Sequence, residues 1–265
     1  MGSLSHEVSL AARAAELGAS VVRSAGLGAD ASVQAKGLPG DYVTDVDVAA
    51  ERAIRELLDA EGGGIGVHGE EGGGAGVADA WVVDPLDGTT NFSRGFWAVG
   101  VSVALVQGGR PVAGAVCAPF LGETWSAGRG EGAWRRRDGS DELERLSVSD
   151  RPVERAVVGT GFPFRRKDLL TRYLRTFEGA LSRFEDLRRP GAAALDLAWV
   201  ATGVFDGFFE LALAPWDVAA GGLLIEEAGG VVTDWSGGHG WLRGDIVAGT
   251  AAVHEMLLSL ASEGG

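Results

Sequence analysis

Cysteine is almost missing from this chain. One thiol, Cys117, stands among 265 residues. That excludes an internal disulfide framework and fits a cytoplasmic chain. Cys117 falls in the apolar segment 112–118, where a buried structural thiol is expected rather than a nucleophile. Lysine is nearly absent beside arginine. No apolar run approaches the roughly 18 residues that a membrane span needs, so no membrane contact is expected. Residues 1–7 lack the basic stretch and apolar core of a secretory signal. No internal repeat and no Pro-rich linker is visible. A basic excess is missing too: the formal net charge is -14. A general nucleic-acid binder draws its affinity from a basic surface, so no nucleic-acid partner is expected. Most of the negative charge reads as solvated surface, and part of it as carboxylates able to hold metal.

What is present in excess is glycine, 43 residues, alongside 46% hydrophobic content. Such a chain is long enough for a sizeable core, as one large domain or two small ones. Apolar residues at helical spacing predict a first helix over 4–25, capped by Ser3 or Ser5. Residues 26–40 read as a mobile glycine-rich loop carrying Lys36. Asp45 and Asp47 open a second helix that runs to about residue 60 and favour its positive end. Strands are expected at 98–107, 111–118, 123–127 and 143–148, with Gly108-Gly109 as a hairpin turn and 135–141 as a polar loop. The second half alternates, with strands at 156–159, 186–189, 206–211, 231–234 and 245–248. Helices are expected there at 169–184, 192–201, 215–228 and 251–260. Helices followed by a largely antiparallel meander indicate an α+β first half, 1–150. Strand–helix–strand units indicate a layered α/β second half, 151–265, packed on the first as one compact unit.

The stretch from Trp81 to Phe92 concentrates the chemistry. An apolar run, Trp81-Val82-Val83, reads as a buried strand. Asp84 and Asp87 follow at its end, with Pro85 between them. Gly88-Thr89-Thr90 then offers backbone N–H groups and hydroxyls with no bulky side chain. Hard cations take oxygen ligands, and phosphate takes N–H donors at a helix start. The same residues also fit an ordinary strand and turn. Glu70 and Asp217 sit at comparable strand ends or helix starts, positions that gather at one sheet edge in α/β proteins. Crowded carboxylates there, with no Cys or His at ligand spacing, favour Mg2+, Mn2+ or Ca2+. His68 is isolated and has no assigned role.

Four motifs in order resemble the inositol monophosphatase family: Asp41-Tyr42-Val43-Thr44 with Asp47, Gly69-Glu70-Glu71, Asp84 through Phe92, and Pro215 through Gly221 with Glu227-Ala228-Gly229-Gly230. The resemblance implies an αβαβα sandwich of the inositol monophosphatase and fructose-1,6-bisphosphatase type. It implies a Mg2+-dependent, lithium-sensitive phosphomonoesterase, and a homodimer. Two or three Mg2+ ions would be held by Glu70, Asp84, Asp87, Asp217 and the Leu86 carbonyl. Mn2+ would substitute, and Li+ and Ca2+ would inhibit. Gly88, Thr89 and Thr90 would bind phosphate. Thr89, linked to Asp47 and assisted by Glu70, would orient the attacking water. Lys36 matches a lysine near the mouth of the site, though a solvated loop lysine fits as well. Glu210 matches a contact to substrate hydroxyls, with a surface strand residue as the alternative. Gly191, Ala192 and Ala193 match a segment lining the same pocket, and Asp217 shares in substrate binding. The expected substrate is a small polyol or sugar phosphate, myo-inositol 1-phosphate first, then histidinol phosphate or another cyclitol phosphate. A non-catalytic regulatory role is the alternative from another class.

Overall fold

A computed structural model describes residues 4–28, 34–35, 42–74 and 76–263. Lys36 and Asp41 lie outside the described residues, as does most of the expected 26–40 loop. The first helix, α1 (His6–Ala25), starts at Ser5, whose Oγ accepts from the Val8 N–H. A two-residue ribbon, β1 (Gln34–Ala35) against β2 (Tyr42–Val43), leads into α2 (Asp45–Glu61). Thr44 caps α2 in a reciprocal box with Asp47.

Next come β3 (Val67–Gly69), β4 (Ala80–Asp87), the short helix α3 (Thr89–Ser93), β5 (Gly100–Gln107), β6 (Arg110–Ala118), β7 (Glu123–Gly128), β8 (Gly132–Arg137) and β9 (Glu144–Arg145). They form one sheet in chain order, β3 parallel to β4 and every later pair antiparallel. Two expectations change here. Residues 135–141 are not simply a polar loop: β8 takes in Arg135 to Arg137. The strand expected at 143–148 shrinks to the two residues of β9.

The second half supplies β10 (Val157–Thr160), α4 (Leu170–Arg183), β11 (Asp186–Arg188), α5 (Ala193–Ala201), β12 (Gly207–Glu210), α6 (Pro215–Glu227), β13 (Val231–Thr233), β14 (Ile246–Gly249) and α7 (Ala251–Glu263). Its sheet runs β11-β10-β12-β14-β13, parallel among the first three strands and antiparallel beyond.

The layering follows from which faces are apolar. α1 and α2 cover one face of the larger sheet and share a buried cluster with alternate residues of β4 and β5, such as Val83, Val101 and Val103. α5 and α6 lie between the two sheets and are apolar over most of their surface, as helices packed on both sides must be, with Asp196 on α5 and Asp217 on α6 as buried acids. α4 and α7 cover the far face of the smaller sheet, around Tyr173, Phe209 and Val247. This is the αβαβα order. The central cluster draws on both halves of the chain, from Val82 and Trp125 to Leu223 and Ile246. No helix among the described residues is long and apolar enough to cross a membrane.

Candidate active site

The site begins with an irregular strand. β4 does not stop before its carboxylates, as the sequence indicates, but carries them to Asp87. Proline has no N–H for a ladder and is tolerated at strand edges and bulges. Both conditions hold at Pro85. β3 pairs with β4 only as far as Val83, and the register with β5 jumps between Asp84 and Asp87. The freed Leu86 N–H donates to Asp84 Oδ1 at 3.0 Å. Gly88 then turns the chain with φ of 91°, and a Cβ there would meet the Ala98 carbonyl oxygen at 2.9 Å. α3 starts at Thr89.

Around this turn lies a cavity of about 860 Å3. It is lined by Glu70, Asp84, Leu86, Asp87, Gly88, Thr89, Thr90, Gly191, Ala192, Ala193, Glu210 and Asp217. The structure thus brings together the described candidate site residues, Asp47 joining through Thr89. Thr89 Oγ1 donates to Asp47 Oδ1 at 3.0 Å, while Asp47 Oδ2 accepts from the Thr44 N–H at 2.8 Å.

The carboxylates are crowded and largely withdrawn from the surface. Burial first, and then the charges of Glu70, Asp87 and Asp217, raise Asp84 well above the usual carboxylate range. Burial and Asp217 do the same to Asp87. Burial and Glu70 push Asp217 up to about 6. Burial, opposed by the hydrogen bonds from Thr44 and Thr89, raises Asp47. Glu210 is raised well above its usual range by burial and by Asp217. Each of three central acids is held at one oxygen by a backbone N–H: Asp84 by Leu86, Asp87 by Ala194 at 2.7 Å, and Asp217 by Ala214 at 2.7 Å.

Among the described residues, no three acids, histidines or cysteines already converge as a ready-made metal cage. The four acids line the cavity as a set instead. Their donor chemistry fits a hard divalent cation: carboxylate oxygens beside the Leu86 carbonyl, with no thiolate and no imidazole among the lining residues. A cation would relieve the mutual repulsion that raises these acids.

Several residues of the site escape sequence reasoning. The Ala194 N–H holds Asp87, so the start of α5 anchors an acid of β4 across the two halves of the chain. Asn91 Nδ2 donates to the Ala98 and Pro190 carbonyls at 2.7 and 2.9 Å, fastening α3 to the 190–191 turn. Arg165 and Arg189 line the cavity, the Arg189 guanidinium lying 5.4 Å from the ring centres of Phe162 and Phe164. Asp196, on α5, is buried, and its Oδ1 has no hydrogen-bond partner. Burial, then Glu210, raises it well above the usual range. Asn91 stands inside a quoted motif, but an amide in a turn carries no sign of distant partners. The others have no local signal at all.

Comparison with known proteins settles the family. Residues 4–264 match the model described as the inositol monophosphatase family. The chain belongs to that family. Membership supports a phosphatase, and the family is in general Mg2+-dependent and lithium-sensitive. Among inositol monophosphatase relatives, a protein named Nus factor SuhB from Pseudomonas aeruginosa is 44% identical over 228 residues, 83% of this chain and 82% of the relative. The extragenic suppressor protein suhB from Bartonella henselae superposes with a TM-score of 0.87 at 37% identity, covering 98% of this chain and all of that one (100%). The Thermotoga maritima IMPase superposes with a TM-score of 0.84 at 29% identity, covering 97% and 96%. The names carried by the SuhB relatives give no support to the expectation of no nucleic-acid partner.

Proposed function

We propose that this family member is a Mg2+-dependent phosphomonoesterase of small polyol or sugar phosphates, with myo-inositol 1-phosphate as the first candidate substrate. The observation that carries this reading is the shared cavity of Glu70, Asp84, Asp87 and Asp217 beside the Gly88-Thr89-Thr90 turn. The four acids and the Leu86 carbonyl would hold two or three Mg2+, with Mn2+ as a substitute and Li+ and Ca2+ as inhibitors. The bound ions supply Lewis acidity that makes water a better nucleophile and neutralises charge on the phosphoryl group. The chain's own part is placement. The Gly88–Thr90 turn receives the phosphate through backbone N–H groups and hydroxyls. Thr89 Oγ1, already committed as a donor to Asp47, has its lone pairs left to accept from a water that Glu70 helps to orient. Glu210 and the 191–193 turn face the alcohol half of the ester. Lys36 remains a candidate at the mouth on the resemblance alone. A cytoplasmic homodimer belongs to the same reading. The experiment is a substrate panel of inositol 1-phosphate, histidinol phosphate, fructose bisphosphate and adenosine bisphosphate compared by kcat/KM. The reading expects inositol 1-phosphate to lead; a clear preference for another ester would reassign the substrate, and no turnover of any ester would remove the enzymatic reading.

A second reading rests on the Nus factor name of the SuhB relatives. It assigns the chain a regulatory role in transcription, alongside or instead of catalysis. With a net charge of -14, a protein surface is a better electrostatic match for such contact than bare nucleic acid. Pull-down of transcription proteins by a chain inactivated at Asp87 would separate that role from catalysis.

A further inference from the structure

One face of α2 carries Asp47, Glu51 and Arg55, each four residues from the next, so their side chains stand in a row. Asp47 reaches Thr89, as described above. The other two grip the turn that bears Glu70. Glu51 Oε2 accepts from the Glu71 N–H and Oε1 from the Gly72 N–H, both at 2.8 Å. Arg55 Nε donates to Glu51 Oε1 at 2.7 Å. Its Nη1 and Nη2 donate to the carbonyls of Val67 and Gly73, at 3.1 and 2.6 Å. One carboxylate thus takes two N–H groups of the turn, and one guanidinium takes a carbonyl on either side of it, that of Val67 in β3 and that of Gly73. The Glu51 side chain is 4% exposed. A Cβ at Gly69 would lie 2.5 Å from its carboxyl carbon, and one at Gly72 would lie 2.6 Å from Oε1. The glycines flanking Glu70-Glu71 therefore make room for this one carboxylate. Across the turn, the Glu70 N–H donates to the Val83 carbonyl at 3.1 Å, which ties it to β4.

We propose that Glu51 and Arg55 are positioning residues for Glu70, and that α2 acts as the common rule against which Glu70 and Thr89 are set. Asp47 fixes Thr89 at one end of the row, and the Glu51–Arg55 clip fixes the turn of Glu70 further along it. The inference rests on the reading of Glu70 as a metal ligand and adds what holds that ligand in place.

Glu51→Gln keeps the size of the side chain. It removes the charge that pairs with Arg55 and puts an amide NH2 where one oxygen accepts an N–H. Partners that orient metal ligands typically change metal affinity or activity by about 10- to 100-fold when lost. The expected result is a Mg2+ half-saturation raised by about 10-fold or more, by calorimetric titration as well as in turnover. The ester KM at saturating Mg2+ should stay within about 2-fold. In metal-free protein, the amides of Glu71 and Gly72 should exchange faster with solvent. Leu58→Ala is the control for a purely structural role, because Leu58 is a fully buried residue of the same helix. It should lower the melting temperature and leave Mg2+ half-saturation unchanged. Unchanged Mg2+ binding and amide exchange in Glu51→Gln would overturn the proposal, and so would an equal Mg2+ shift in Leu58→Ala. If Glu51→Gln does not fold, Arg55→Lys decides by the same criteria, since lysine keeps the charge but cannot span both carbonyls. Glu70→Gln is measured beside them. Should it bind and use Mg2+ like the wild type, the metal reading itself fails; should it be impaired while Glu51→Gln is not, only the positioning role fails.

Discussion

Asp87 has two roles that a single substitution separates. It is one of the acids of the cavity, and it accepts the Ala194 N–H at 2.7 Å, which ties β4 to the start of α5. Asn at this position keeps an oxygen for Ala194 and loses the charge. Asp87→Asn should lower kcat by orders of magnitude and, by removing a buried charge, raise rather than lower the melting temperature of the metal-free protein at pH 7.5; near-normal turnover would contradict the site. A second test concerns Glu210. A Cβ on Gly161 would lie 2.1 Å from both Glu210 carboxylate oxygens. Gly161→Ala should therefore displace Glu210 and lower kcat/KM about as much as Glu210→Gln does. A lost hydrogen bond to a charged group is worth about 1.5–3 kcal/mol, or roughly 10- to 100-fold. Equal kinetics in wild type and Gly161→Ala would place Glu210 outside substrate recognition. Much of the residue list was legible in the sequence, because Asp84-Pro85-Leu86-Asp87-Gly88-Thr89 is a contiguous chemical statement. Glu51, Arg55, Asp196 and Arg189 were not. Each is an ordinary charged residue in its own segment, and nothing local says which distant groups it faces.

At the scale of elements, small residues decide how near the layers come. A Cβ on Gly221 of α6 would sit 2.5 Å from Leu197 Cβ on α5, and one on Gly222 would sit 2.5 Å from the Trp241 ring. Alanine is favoured over glycine in a helix by about 1 kcal/mol. Overpacking a filled core costs about 1–3 kcal/mol. Because Leu197 is fully buried and the near atom is its Cβ, which moves only with the backbone of α5, the second effect should win. Gly221→Ala is expected to lower stability by about 1–2 kcal/mol in a denaturant titration, and a gain in stability would show that α5 and α6 can separate. Helices and most strands were legible from their periodicity. β8 was not, since Arg135-Arg136-Arg137 looks like solvated loop. In the fold Arg135 and Arg137 each pair with Glu123 and Glu144 of the adjoining strands, and Arg136 pairs with Glu16 of α1. The end of β4 was placed too early for a related reason. A proline reads as a break, whereas here the register jump accommodates it within the strand.

The whole molecule concentrates its tension in the cavity between its layers. In the metal-free protein, Asp84, Asp87, Glu210 and Asp196 bind protons more tightly than they would unfolded, and Asp217 is pushed up to about 6. Where the folded state holds more protons, stability falls as pH rises. The loss should begin above the unfolded carboxylate range near 4 and continue through pH 6. Asp234 has the opposite sign. Its hydrogen bonds from Ser236, Gly238 and Gly240 hold it at about 2, so its contribution is lost only in stronger acid. Metal-free protein should thus melt at a higher temperature at pH 5 than at pH 7.5, and added Mg2+ should raise the melting temperature more at pH 7.5. Equal Mg2+ effects at both pH values would mean that the ion does not replace protons on these acids. The class of each half was legible from its own pattern of helices and strands, whereas the full αβαβα order came from the resemblance. The meeting of Glu70, Asp84, Asp87 and Asp217 was only suggested by their places at strand ends and helix starts, because local spacing carries no distance between segments, and the resemblance joined them.

The most direct test of the central claim is phosphate release from myo-inositol 1-phosphate by protein stripped with EDTA and then titrated with Mg2+. The account predicts no release in chelator, and full recovery on adding Mg2+, with Asp87→Asn inactive throughout. Turnover that is unchanged in EDTA, or equal in Asp87→Asn, would contradict it.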